Sequence, residues 1–115
     1  MIQNPKYVLR QGSNNQFYWI LTARNGEPIL KSQMYGSKQG AAVGIQSSRN
    51  NVSDRNFDRK TATNGQYYFN QVATNGEVIG TSEMYVTIAA REVGIQSVKT
   101  NAPIAAFEDL TIKVF

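Results

Sequence analysis

The sequence predicts an α+β fold, built as two tandem copies of a strand-strand-strand-helix-strand unit whose middle outer strand serves both copies. Three observations predict it. The stretch "NGEPILKSQMYGSKQGAAVGIQS" from Asn25 returns as "NGEVIGTSEMYVTIAAREVGIQS" from Asn75, 50 residues on and without a gap. Aromatic segments keep that period: Phe17, Tyr18 and Trp19 correspond to Tyr67, Tyr68 and Phe69, and an aromatic recurs at Tyr7, Phe57 and Phe107. Each copy continues into a hydroxyl residue, Ser37 or Thr87, and a stretch of helical pattern. A period near 50 suggests a solenoid or propeller, but two copies are too few for a freestanding stack, so they complete one core as a pseudo-two-fold pair. The 115 residues form a single domain, 1–115, divided at about 6–55 and 56–113.

The elements follow in order. "KYVLRQ" and "NFDRKTA" read as first strands, and "QFYWILTA" and "QYYFNQVA" as second strands rich in aromatic and β-branched residues. Asn25-Gly26, Asn64-Gly65 and Asn75-Gly76 are the pairs that type I′ hairpin turns prefer, because both central residues need positive φ. Third strands, "PILKSQM" and "EVIGTSEM", lead to Ser37 and Thr87, whose hydroxyls can cap a helix. The helices end at Asn51 and Asn101, which tolerate a left-handed cap, and Pro103 prevents continuation of the second.

At 100° per residue, Gly40, Gly44, Ser47 and Ser48 share one stripe, and Ala90, Gly94, Ser97 and Val98 its equivalent; Lys38, Gln46, Arg49, Gln96 and Lys99 lie opposite, in solvent. A mid-helix glycine costs about 1 kcal/mol relative to alanine, so Gly44 and Gly94 require a compensating close approach to the sheet. Period-2 alternation puts Phe17, Trp19, Leu21 and Ala23 on the face toward the helices, with Tyr67, Phe69 and Ala73 equivalent to them. Gln71 breaks the symmetry by standing where the first copy has Leu21. Either a bulge turns it outward, which the reading favours, or its amide is hydrogen-bonded inside.

The chain has no cysteine and no histidine, which removes disulfides, Cys/His zinc sites, thiol nucleophiles and imidazole acid-base chemistry together. An enzyme is therefore not expected, and no cofactor is called for. No apolar run is long enough to cross a membrane and the start "MIQNPKY" carries no apolar signal region, so a cytoplasmic, bacterial-type protein is expected. The net charge of +4 is uneven: residues 1–60 hold nine basic against three acidic residues, a balance of +6, and residues 61–115 hold three against five, a balance of −2. Arg49, Arg55, Arg59 and Lys60 lie in one basic stretch that could meet phosphates, although scattered surface cations commonly serve solubility alone.

The segments "FYWILTARNGE", "SQMY" and "SKQGAAVGIQS", then "YYFNQVATNGE", "SEMY", "REVGIQSVKTNA" and "FEDLT", resemble the repeats of the YegP-like family of small bacterial proteins over nearly the whole chain. The resemblance implies two β3-αβ units sharing a single antiparallel sheet, with exchanged C-terminal strands and both helices on one face. It implies no function, since the family is uncharacterised. Two departures stand out: Gln71 and Val72 replace the usual Leu-Lys of the second unit, and "TIKVF" follows, compatible with a longer final strand.

Glu27 and Glu77 are related by the repeat, and paired carboxylates can divide acid and base roles, but loop-tip glutamates are normally solvated. Met34-Tyr35 and Met84-Tyr85 could rim a ligand, or simply fill core gaps. A hydrolase or transferase would need a concave pocket holding some of these residues. The strongest candidate is the sheet face away from the helices, expected to carry Tyr18, Ile20, Thr22, Tyr68, Asn70 and Val72. The leading expectation is a non-enzymatic binding or protein-interaction module using Tyr18, Ile20, Tyr68 and Val72, as a monomer or weak dimer with a protein or small-ligand partner. The alternative is weak nucleic-acid binding through the basic first copy and the exposed tyrosines.

Overall fold

A computed structural model describes residues 4–112. The first unit holds strands β1 (Lys6–Gln11), β2 (Phe17–Thr22) and β3 (Pro28–Ser32) and helix α1 (Lys38–Asn50); the second holds β4 (Phe57–Thr61), β5 (Tyr67–Val72) and β6 (Val78–Thr81), helix α2 (Ile88–Asn101) and β7 (Ala106–Asp109). Short 3-10 turns, Asp54–Asn56 and Ala102–Ile104, follow the helices. One mixed seven-stranded sheet runs β4-β5-β6-β3-β2-β1-β7. The units therefore meet at β3 and β6, and β7 has left its own unit to pair with β1. All pairs are antiparallel as expected except this last one, which is parallel. β7 arrives from a helix rather than a tight turn, and only a tight turn obliges neighbouring strands to run antiparallel.

The glycines sit where the sequence puts the turns, but the turn type differs. Gly26, Gly65 and Gly76 have φ of 81°, 84° and 87°, while Asn15 at 64° is the only other residue with positive φ among the described residues. The asparagine before each glycine therefore keeps an ordinary φ. Its side chain instead braces the turn: Asn25 Oδ1 accepts from Glu27 N–H at 3.0 Å, and Asn75 Oδ1 from Glu77 N–H at 3.0 Å. With Ala23 N–H bonded to Glu27 C=O and Gly26 N–H to Ala23 C=O, these are three-residue loops closing on a left-handed residue. In the first hairpin Asn15 fills the glycine's place.

Ser37 and Thr87 cap the helices as expected, accepting from Gly40 N–H and Ala90 N–H at 3.0 Å each. At the other ends Asn51 and Asn101 are not left-handed. They turn their side-chain amides back instead, donating to Ser47 C=O at 2.7 Å and Ser97 C=O at 2.8 Å, which satisfies carbonyls that the helix end leaves open.

Both helices lie on one face, α1 across β2 and β6, α2 across β5 and β3, so each clamps the two units together. The buried stripes are Ala41, Gly44, Ile45 and Ser48 on α1 and Arg91, Gly94, Ile95, Val98 and Asn101 on α2, rotated slightly from the predicted ones. Arg49 and Lys99 are consequently half-buried rather than solvated: the Arg49 guanidinium stacks 4.9 Å from the Tyr7 ring centre and the Lys99 ammonium 5.6 Å from that of Phe57. The close approach at Gly44 and Gly94 comes chiefly from the junction tyrosines, with the Trp19 indole of β2 also close to Gly44. A Cβ at either position would overlap the hydroxyl of Tyr35 or Tyr85. Those tyrosines are held there by backbone bridges to Phe17 and Tyr67. Met34 and Met84 do not fill core gaps; both are exposed.

Gln71 stays inside. A register shift does occur beside it, between Gln71 and Val72, but the first unit has the same shift between Leu21 and Thr22, so the bulge belongs to the fold and does not turn the amide outward. Gln71 is fully buried: its Oε1 accepts from Ser48 Oγ–H at 2.7 Å, and its Nε2 donates to the carbonyls of Ser48 at 2.9 Å and Asn51 at 2.7 Å. The Tyr7 hydroxyl donates to the same Ser48 oxygen at 2.7 Å. Tyr7 and Gln71 sit four strands apart, about 19 Å in a flat sheet, so their common contact shows that the sheet curls around the helices. The final strand ends at Asp109, whose carboxylate takes the N–H of Thr111 at 2.8 Å in a turn; of "TIKVF", residues 113–115 lie outside the described residues.

Candidate binding face

Among the described residues no element covers the sheet face opposite the helices. Trp19, Leu21, Phe69 and Gln71 point into the core, so alternation along β2 and β5 turns Tyr18, Ile20 and Thr22, with Tyr68, Asn70 and Val72, to the open side, where all six are half-exposed. The register sets their neighbours. Arg10 lies opposite Tyr18, Val8 opposite Ile20 on one side and Lys31 on the other, Thr81 opposite Asn70, and Lys60 opposite Tyr68. Tyr18 and Tyr68 stand three strand intervals apart, about 14 Å, with Lys31 and Thr81 on the strands between them.

Cations frame this face. The Lys31 ammonium lies 5.0 Å from the centre of the Tyr18 ring, and Arg10 beside it is exposed and in no ion pair among the described residues. Lys6 pairs with Glu108 at 3.0 Å and Lys60 with Asp58 at 3.3 Å. Sequence reasoning overlooked Val8, Arg10 and Lys31, although the alternation in "KYVLRQ" and "PILKS" carries the signal that would have placed them with Tyr18.

The basic stretch does not gather into a phosphate site. Arg49 stacks on Tyr7 and donates to Ala102 C=O at 3.3 Å on the helix side. Arg59 also faces the helices, giving Nε to both oxygens of Glu92 at 2.9 Å each and pairing with Asp54 at 3.1 Å. Lys60 points to the open face, while Arg55 is exposed in the 3-10 turn. The Arg59 guanidinium, first by its hydrogen bond, holds the Glu92 carboxyl below the usual carboxylate range and, with Lys99, does the same for Asp54.

Glu27 and Glu77 are both exposed and line no common cavity. A crevice of about 170 Å³ between α1 and the β5–β6 turn brings Glu77 beside Tyr35, so a concave place holding two of the candidate groups does exist. Its lining contains no second carboxylate. Burial raises the Tyr35 phenol above its ordinary value, away from the range of a base at neutral pH. The equivalent crevice under α2, about 490 Å³, is lined by Ala23, Arg24, Val93 and Ser97 among others and lacks Glu27. Among the described residues no group of three or more acidic side chains could hold a metal ion, and no helix is long and apolar enough to cross a membrane.

The family described as a domain of unknown function, DUF1508, matches twice, at residues 13–58 and 62–109. The chain belongs to this family. It is 45% identical over 58 residues to the UPF0339 protein YegP of Escherichia coli strain K12, a match covering 50% of this chain and 53% of that one, and 49% identical over 45 residues to a UPF0339 protein of Shewanella oneidensis, covering 39% and 41%. In these matches the chain spans about half the length of its relatives or less. The solution structure of the E. coli protein, described as of unknown function, superposes with a TM-score of 0.88 at 43% identity over 96% of both chains. That of the Shewanella protein does so with a TM-score of 0.87 at 41% identity, over 94% of this chain and 92% of that one. The family resemblance and the two-unit α+β fold are thereby shown, for a family whose function is unknown.

Proposed function

We propose that this chain is a non-enzymatic binding module that docks a protein partner on the open face of its sheet. One observation carries the reading: a sheet covered by helices on one side leaves Tyr18, Ile20, Tyr68 and Val72 half-exposed together on the other. Tyrosines on a rigid sheet supply contact area at little entropic cost, the usual make-up of an interaction surface. Arg10, Lys31 and Lys60 beside them favour a partner whose surface is apolar at its centre and acidic around it. The test is affinity capture from the native cell with wild type and a Tyr18→Ala/Tyr68→Ala variant of unchanged circular dichroism. A protein retained by wild type and lost by the variant is the expected result; equal retention by both overturns the reading.

A second reading, weak binding of single-stranded nucleic acid, draws support from Tyr18 with Lys31 over its ring and Arg10 opposite it in register. It moves the basic contribution from Arg49, Arg55 and Arg59 to the open face. Titration of single-stranded DNA in low salt should then show binding that weakens steeply as salt rises and that is lost in Tyr18→Ala; no binding in low salt removes it.

A further inference from the structure

The sheet ends in two unlike edges. On β1, Pro5 C=O accepts from Ala106 N–H at 2.9 Å and Leu9 C=O from Leu110 N–H at 3.0 Å, so every second residue points its backbone groups outward and β7 satisfies them. β4 is the equivalent strand of the second unit, with Phe57 at the place of Tyr7 and Arg59 at that of Leu9. At the mouth of its hairpin Ala62 N–H bonds Gln66 C=O at 2.8 Å. Counting back along the register, Lys60 and Asp58 bond toward β5, while Arg59 and Thr61 present their N–H and C=O groups to the outside; Phe57 N–H instead closes the 3-10 turn on Asp54 C=O, and Phe57 C=O accepts from Arg59 Nη1 at 3.5 Å. Among the described residues no strand takes that edge.

The side chains of this edge are complementary to themselves. Asp58 and Lys60 both lie on the open face, with exposed side chains, and Arg59 between them is turned to the helices. We propose that β4 is a docking edge for a second copy of this chain, the two β4 strands running antiparallel about a two-fold axis at Arg59 and joining both sheets into one. In this register the outward N–H and C=O of Arg59 meet those of the partner's Arg59 in bonding phase, and Thr61 lies opposite the partner's Phe57, whose own backbone groups stay in its 3-10 turn. Asp58 then faces the partner's Lys60, and Lys60 the partner's Asp58, at the close non-hydrogen-bonded positions. Sliding by one step in either direction puts Asp58 against Asp58 or Lys60 against Lys60, so the charges select a single register. The facing arginines are each neutralised by Glu92 and Asp54 of their own chain. β7 offers no such match: its charged residues, Glu108 and Asp109, are both acidic, and no self-pairing brings opposite charges together.

A five-residue edge buries little area, so the association is weak and shows at high protein concentration. It uses the rim of the sheet and does not depend on a partner for the open face. Sedimentation equilibrium from micromolar to millimolar protein, with circular dichroism of every variant, tests it. Wild type should form a concentration-dependent dimer. Asp58→Lys alone and Lys60→Asp alone should each raise the Kd at least about tenfold, because like charges then face each other. The charge-swapped double variant Asp58→Lys/Lys60→Asp, and an equimolar mixture of the two single variants, should both recover the dimer. A wild type that stays monomeric throughout, single variants that dimerise like wild type, or a mixture that forms no heterodimer overturns the proposal.

Discussion

Two equivalent places in the core are filled by opposite chemistry. In one, Tyr7, Ser48 and Gln71 form a buried relay of hydrogen bonds that links β1, α1 and β5. In the other, the residues at the same positions of the repeat are Phe57, Val98 and Leu21, all buried and apolar. The backbone around them is nearly the same, down to the bulge beside Leu21 and Gln71. The fold therefore accepts either solution, but each solution is a set of three. An amide is tolerated at Gln71 because Ser48 and two carbonyls receive it, and its counterpart Leu21 lies in the apolar core cluster with Phe57 and Val98.

The largest effect should come from moving one member of the polar set into the apolar place. Leu21→Gln buries an amide beside Val98 and Phe57 without a matching hydroxyl and should cost about 4 kcal/mol in urea denaturation, the unmet hydrogen bonds adding to the lost apolar contact. Next comes pH. Burial, opposed by the Ser48 hydrogen bond and nearby Arg49, pushes the Tyr7 phenol up to about 12 from 10.0. Since the folded state holds the proton more tightly, this stability is fully present below pH 10 and is lost between pH 10 and about 12, roughly 3 kcal/mol in all. Tyr7→Phe should flatten the stability profile over that interval; an unchanged profile would show that Tyr7 is not the group responsible.

A feature that the two units share supplies the control. Gly44→Ala and Gly94→Ala should destabilise alike, by about 2 kcal/mol, because both added methyls meet a tyrosine hydroxyl; Tyr35→Phe and Tyr85→Phe should each relieve part of the cost. If thermal melts separate the two glycines widely, the units are less equivalent than the comparison assumes. Gln71→Leu should cost on the order of 1 to 2 kcal/mol by stranding Ser48 and the Asn51 carbonyl. Smallest of all, the triple variant Tyr7→Phe/Ser48→Val/Gln71→Leu should lie within about 1 kcal/mol of wild type, since it removes the three side-chain partners together and leaves only the Ser48 and Asn51 carbonyls without the amide. A triple variant worse than Gln71→Leu alone would mean that the relay stabilises the fold beyond satisfying itself.

How far the sequence reached follows from which interactions are local. The 50-residue period, the glycines at the turns and the hydroxyl caps act within a few residues, and each placed its element correctly. The turn type was misjudged because the Asn-Gly pair is compatible with two backbone paths, and the choice between them depends on a hydrogen bond from Ala23 or Ala73. The fate of Gln71 was hidden for a different reason: its partners, Ser48 and Asn51, lie 23 and 20 residues away on a helix of the other unit. The open face was legible as alternation in β2 and β5. Its cations were not, because Arg10 and Lys31 join Tyr18 only through strand register.

The placement of β7 has a consequence in time as well as in space. The Lys6–Glu108 ion pair joins residues 102 apart in sequence, and β1 finds its outer neighbour only when nearly the last element has formed. Contacts of such separation pay their loop-closure cost late and slow the search for the native arrangement. During synthesis β1 must therefore wait, one edge exposed, through the making of both helices. A nascent chain is at its most vulnerable to pairing with its neighbours in that interval, and the closing of the sheet is the event that ends it.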